Sequence, residues 1–284
     1  MKAMIVGAAG QLGRALARTA PAHAEVACYD RESLDITDPA RVTAAMSECE
    51  PDIVFNAAAY TAVDRAEAEP DAAKSINTHA VANLAEAARL TDAKLVHVST
   101  DFVFAGDAGK PYPPSAPTAP LGMYGASKLA GESEAGRLSN TLIVRTAWVY
   151  DREGANFVNT MLRLMGERES LSVVADQVGT PTLAEDLAAA LWMLAEKDAL
   201  GILHYTNSGV ASWYDFAIAI QEEALAAGTL LSAIPIMPIR TSDYPTDAER
   251  PSYSVLDCSE TWQILGSPAR HWRTALRSIF EETE

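Results

Sequence analysis

Through the first half of the chain, short unbroken apolar runs alternate with longer stretches whose apolar positions recur every three or four residues. Residues 3–6, 25–29, 51–55, 94–98 and 141–144 read as strands buried on both faces. Residues 14–19, 72–90 and 124–138 read as helices between them. This alternation predicts an α/β fold with a doubly wound, mostly parallel sheet covered on both sides. After Tyr150 the rhythm loosens. Helical spacing returns over 156–165, 183–195, 213–227 and 272–280, with strand-like runs at 171–174, 201–205 and 234–239. The run at 201–205 is expected to rejoin the sheet.

Directly after the first run comes Gly7-Ala-Ala-Gly10-Gln11-Leu12-Gly13, and then a helix. A strand, a glycine-rich turn and a helix form the opening of a Rossmann-like dinucleotide-binding domain. Glycines let the backbone turn tightly beside a pyrophosphate, and the helix N-terminus supplies N–H groups and positive dipole. The second strand ends in Asp30, an acid suited to the adenosine ribose hydroxyls; the adjacent Arg31 would suit a 2′-phosphate, so NADPH and NADH both stay open. Asp38 reads as a helix cap with Pro39 at the first helical position. The small residues Ala57, Ala58 and Ala59 follow the third strand, where a flat ring or ribose can lie on the backbone. His97 sits within the fourth strand and reads as a packed core histidine. The expected organisation is a dinucleotide-binding domain over 1–148, rejoined by about 181–206, with a smaller C-terminal substrate-binding lobe from 149–180 and 207–284.

Tyr124 and Lys128 are four apart at the start of a helix, hence on one face. An ammonium near a phenol favours the phenolate, which suits proton transfer near neutrality. Upstream, Ser99-Thr100-Asp101 ends a strand, and ligands of open α/β sheets bind at carboxyl ends of strands. Between them lies the Gly-, Pro- and Ala-rich stretch 104–120, whose length suits a lid or rim. Together these describe a carbonyl reductase site.

Charge narrows the partners. The formal net charge of −16, with only 22 Lys and Arg, argues against nucleic acid. No apolar stretch reaches the ~18 residues of a membrane span. Cys28, Cys49 and Cys258 are odd in number and lack a CxxC pattern, which suits a reduced, cytoplasmic protein.

The ordered set GAAGQLG (7–13), NAAAYTAVDRAEAEP (56–70), STDFVF (99–104), YGASKLAGE (124–132), RTAWVY (145–150), GANF (154–157) and DQVGTPT (176–182) resembles the extended short-chain dehydrogenase/reductases. Within them it looks like the dTDP-4-dehydrorhamnose reductase branch, with HYTNSG (204–209) and ERPSYSVLD (249–257) as weaker support. The resemblance implies reduction of the C4 keto group of a dTDP-sugar by NADPH or NADH. Tyr124 would protonate the C4 oxygen, Lys128 would hold the nicotinamide ribose and lower the Tyr124 pKa, and Thr100 would hydrogen-bond the oxygen. Asp101 and Trp148 would line the sugar pocket, and Arg250 would meet the nucleotide diphosphate or pair with Glu249 or Asp247. Gly7, Gly10, Gln11, Leu12 and Gly13 would cradle the pyrophosphate. Asp30, Asp35, Ile36 and Ala57 to Ala59 would flank adenine and ribose. The same fold also serves nucleotide-sugar 4-epimerases and dehydratases, and a non-catalytic subunit of methionine adenosyltransferase. The resemblance allows a homodimer. Glu281, Glu282 and Glu284 read as a solvated helix end rather than a Mg²⁺ site, and no metal is expected.

Overall fold

The computed structural model describes residues 1–281. The chain opens with β1 (Lys2–Val6), α1 (Gln11–Arg18), β2 (Glu25–Tyr29), α2 (Pro39–Cys49) and β3 (Ile53–Asn56). Helices α3 (Val63–Ala68), α4 (Pro70–Lys74) and α5 (Ala80–Thr91) lead to β4 (Lys94–Thr100), α6 (Met123–Ala135) and β5 (Thr141–Thr146). The second half holds β6 (Val149–Tyr150), α7 (Phe157–Glu167), β7 (Leu171–Val174), β8 (Val178–Gly179), β9 (Thr182–Leu183), α8 (Ala184–Glu196) and β10 (Gly201–His204). It closes with β11 (Ala211–Ser212), α9 (Trp213–Ala226), β12 (Ile236–Ile239), α10 (Ser259–Leu265) and α11 (Trp272–Ser278).

Six strands make one parallel sheet in the order β10-β5-β4-β3-β1-β2. The doubly wound sheet and the return of the 201–205 run are therefore both present. Alternation along each strand splits the core in two. Ala3, Ile5, Phe55, Val96 and Leu142 pack with α1 and α8, while Met4, Val6, Val54, Leu95 and Ile143 pack with α2 and α5. Burying one such aliphatic or aromatic side chain contributes roughly 1.5–3 kcal/mol. The chain reverses direction of winding between β1 and β3, the switch point at which such sheets bind ligands.

Local chemistry explains the element ends. Asp38 accepts from Ala40 N at 2.9 Å and Arg41 N at 3.2 Å, with Pro39 opening α2 as expected. Ser212 and Asp215 form a reciprocal capping box on α9. The helix read over 72–90 is interrupted by a π turn at Ser75–His79. There Asn77 turns inward: Oδ1 accepts from Tyr60 N at 2.9 Å, and Nδ2 donates to Ser127 Oγ at 3.0 Å. Tertiary bonds to Asn77 thus accompany a break that the periodicity does not reveal.

A separate apolar cluster forms the smaller lobe, with Tyr150, Val158, Phe216, Ile220 and Trp272 at its centre. Its strands β7 and β12 pair in parallel across a gap of more than sixty residues. The 104–120 stretch carries no helix or strand, but Tyr112 stacks on Phe104 at 4.3 Å and bridges to Leu256. That stretch is anchored to the C-terminal part of the chain. No described helix is long and apolar enough to cross a membrane.

Candidate active site

At the switch point the glycine turn is built for close approach. Gly7 has φ +81°, and a Cβ on it would stand 2.6 Å from Ala58 N. Only glycine admits the Ala57–Ala58 backbone there. Gly13 likewise lies against the Gly7 carbonyl. Gly10 is exposed and is the N-cap of α1, and no side chain caps that helix. The first N–H groups of α1, including those of Gln11 and Leu12, are left for an anion. Gln11 also accepts from Asn156 Nδ2 at 3.0 Å, which ties the turn to the smaller lobe. This cradle fits a dinucleotide pyrophosphate.

Asp30 lies at the end of β2, but its Oδ1 accepts from Ser33 N (2.9 Å), Ser33 Oγ (2.8 Å) and Glu32 N (3.0 Å). These bonds, those to Ser33 first, hold its carboxyl below the usual range. Its local job is to shape the turn, and Asp35 does the same with Thr37 N and Oγ1 at 3.0 and 2.7 Å. Ile36 is buried. Asn56 Oδ1 accepts from Ala58 N at 3.1 Å, and Asn56 Nδ2 meets His97 Nδ1 at 3.1 Å. Burial first, then Lys128, push His97 well below its ordinary pKa. His97 is therefore a neutral core group that orients the Ala57–Ala59 loop through Asn56.

Thr100 ends β4 and caps the single turn after it, accepting from Phe102 N at 3.2 Å while donating to Asp101 Oδ1 at 3.0 Å. Asp101 is buried, and its Oδ2 has no partner among the described residues. Burial pushes its carboxyl up to about 6, against the hydroxyls of Ser254 and Thr100. Tyr124 stands across from this turn, its ring edge-on to Phe102 at 5.5 Å. Thr100, Asp101 and Tyr124 are thus brought together.

The expected coupling of Tyr124 to Lys128 takes a different form. Burial, with the Asp101 charge adding, pushes the phenol up to about 12, and only the Thr100 hydroxyl opposes. Lys128 Nζ instead donates to Val98 O at 2.6 Å. Burial lowers its pKa to about 8, with Glu132 pulling the other way. The phenol consequently stays protonated at neutral pH, the form a proton donor needs. Glu132, one turn beyond Lys128, accepts from Ser99 Oγ (2.5 Å), Arg145 Nε (2.8 Å) and Arg145 Nη2 (2.7 Å). Every member of that buried network is bonded, which locks α6 against β4 and β5. Glu132 closes the YGASKLAGE stretch and Arg145 opens RTAWVY, but their pairing is not readable from the sequence.

Trp148, beyond β5, adopts φ +48° and stacks on Trp213 at 3.5 Å and 6°. Gly179 of the DQVGTPT stretch makes room for it, since a Cβ would stand 2.6 Å from the indole. On the far side of Trp213 opens a pocket of about 770 Å³, lined by Phe157, Arg168, Gln177, Trp213, Tyr244 and Arg250 among others. Arg250 pairs neither with Glu249 nor with Asp247. Its Nη1 and Nη2 grip Asp64 at 3.0 and 2.7 Å. Phe157 ends the GANF stretch and Trp213 opens a helix, but nothing in the sequence brings them together with Arg168, because scattered segments of the smaller lobe supply the three. Glu282 and Glu284 lie outside the described residues.

The model of the RmlD substrate binding domain family matches residues 1–284. The dTDP-4-dehydrorhamnose reductase of Aggregatibacter actinomycetemcomitans is 43% identical, over 97% of each chain. A probable dTDP-4,6-dihydroxy-2-methyloxan-3-one 4-ketoreductase of Streptomyces antibioticus is 42% identical, over 99% of this chain and 95% of that one. The solved dTDP-4-dehydrorhamnose reductase of Bacillus anthracis, in complex with NADP, superposes with a TM-score of 0.94 at 38% identity over 99% of each chain.

Proposed function

The chain belongs to the RmlD family, to which relatives called dTDP-4-dehydrorhamnose reductases are similar along almost their whole length, and on that premise we propose that it reduces the C4 keto group of dTDP-4-dehydro-L-rhamnose to dTDP-L-rhamnose. The observation that carries the reading is the meeting of Thr100 and Tyr124 at the carboxyl end of β4, with Lys128 a turn further along α6. A bound nicotinamide cofactor, NADPH or NADH, supplies the hydride. The glycine turn and the N-terminus of α1 hold its pyrophosphate, and Lys128 holds the nicotinamide ribose.

Thr100, whose hydroxyl donates to Asp101 in the resting site, turns its one hydrogen to the C4 oxygen, and Tyr124 delivers the proton as negative charge develops there. With its pKa pushed up to about 12, Tyr124 is a reluctant donor in the resting site. A developing alkoxide is a stronger base than a phenolate, so transfer is downhill once hydride has moved. The thymidine diphosphate portion takes the 770 Å³ pocket, where Phe157 and Trp213 offer flat faces to the base and Arg168 and Arg250 offer cations. Trp213, stacked on Trp148, forms one wall of that pocket. A cytoplasmic setting goes with this reading, supported by three free cysteines.

The test follows nicotinamide absorbance with dTDP-4-dehydro-L-rhamnose made in place from dTDP-glucose by a dehydratase and an epimerase, with NADPH and NADH in parallel. Oxidation that requires the epimerase supports the assignment. Oxidation without the epimerase moves the substrate to the unepimerised 4-keto sugar, and none with either cofactor, despite cofactor binding, removes this substrate class.

A further inference from the structure

Helix α3 carries two carboxylates three residues apart that reach different parts of the site. Asp64 grips Arg250 at the pocket rim and also accepts from Ala248 N at 3.1 Å. Glu67 reaches the catalytic helix: its Oε1 accepts from Met123 N, the first N–H of α6, at 2.7 Å. The N-cap of α6 is Gly122, which has no side chain to do this itself. An uncapped first turn leaves N–H groups unpaired, and a carboxylate there is also favoured by the helix dipole.

The fit depends on glycine. A Cβ on Gly122 would stand 2.5 Å from Glu67 Oε1, so any other residue displaces the carboxylate. One turn on, Gly125 lies against the Phe102 carbonyl in a contact that a Cβ would block. Phe102 in turn follows Thr100 and Asp101 and packs edge-on against Tyr124. The first turn of α6, with Tyr124 as its second residue, is therefore wedged between Glu67 on one side and the Thr100 turn on the other.

We propose that Glu67 is a positioning residue: by capping α6 from α3 it holds Tyr124 in register with Thr100 for proton delivery. The role rests on the reductase reading above and adds to it a group that touches neither substrate nor cofactor. Misplacing a reacting group by about 1 Å can cost on the order of 100-fold in rate. Lys128 sits a full turn deeper, bonded to Val98 and beside the Glu132 network, so cofactor binding is insulated from the cap.

The experiment compares wild type, Glu67→Ala, Glu67→Gln, Gly122→Ala and the Ala/Ala double variant. It measures kcat, KM, the NADPH dissociation constant and amide exchange at residues 123–125. Glu67→Ala should lower kcat by roughly 10- to 100-fold with KM and NADPH affinity within about twofold. Glu67→Gln should recover to within about threefold of wild type, because an amide oxygen still accepts the bond. Gly122→Ala should mimic Glu67→Ala, and the double variant should be no worse than either single one. Wild-type kcat in Glu67→Ala overturns the proposal. So does equal loss of kcat, KM and cofactor affinity in both the Ala and Gln variants, which marks mere unfolding. Met123 exchange separates the two readings. Faster exchange confined to the first turn of α6 in Glu67→Ala, with the core strands unchanged, establishes the cap whatever the substrate proves to be; faster exchange throughout marks unfolding and overturns the proposal. A wild type that binds NADPH without turnover sinks the reductase reading and with it the positioning role.

Discussion

Beside the carboxyl end of β4, Lys128 and the Ser99–Glu132–Arg145 network are buried and bonded, whereas in the pocket beyond Trp213 Arg168 and Tyr244 face open space. Lys128, Glu132, Ser99 and Arg145 are all buried and all paired. Arg168, by contrast, is exposed and has no carboxylate partner among the described residues, and Tyr244 is also exposed. The first region is pre-organised, so its groups do not rearrange when charge moves. The second keeps Arg168 free for a ligand that brings its own negative charge, while Arg250 is held at its rim by Asp64. On the proposed function, the first region would set rate and the second affinity.

The strongest test of that division is Tyr124→Phe. It removes the proton donor and should lower kcat by roughly two to four orders of magnitude. KM and NADPH affinity should hardly change; a comparable rise in KM would show that the two regions are not separable.

Asp101→Asn probes what pre-organisation costs. Burial raises the Asp101 carboxyl from its ordinary 3.8 to about 6, so the folded protein binds more protons than the unfolded chain between those values. Stability from this group is therefore full below about pH 4 and lost as pH rises through 6. The Asn variant should be more stable than wild type by up to roughly 3 kcal/mol above pH 6, with the gap closing towards pH 4. Denaturant melts at several pH values measure this, and a gap that widens on acidification would reverse the sign and refute the buried charge.

Arg250→Ala addresses the pocket. It should raise KM for the dTDP-sugar by about 10- to 100-fold and leave kcat within about threefold. A fall in kcat at unchanged KM would transfer Arg250 from the affinity region to the rate region. Since Asp64 then loses its partner, Asp64→Asn with Arg250 intact is the control for disturbance of α3.

The two regions also differ in how far the sequence discloses them. The catalytic end was legible because its groups lie on elements whose period marks their faces: Thr100 closes an apolar run, and Tyr124 and Lys128 share a helix face. The glycine turn was legible for the same reason, being placed between a strand and a helix. Arg250 was found as a residue but its partner was not, because Asp64 is 186 positions away. The interruption at Ser75–His79 and the cap from Glu67 escaped notice for the same cause.

The sequence by itself determined the parallel sheet, the glycine turn and the shared helix face of Tyr124 and Lys128, since local periodicity and turn chemistry specify these. Tertiary structure alone decided three things. Lys128 bonds Val98, desolvation favours the protonated form of the half-buried Tyr124, and the pocket is assembled from α7, β7, α9 and the 241–250 segment. Desolvation and long-range ion pairing depend on what surrounds a side chain in space, and no spacing along the chain encodes that surrounding.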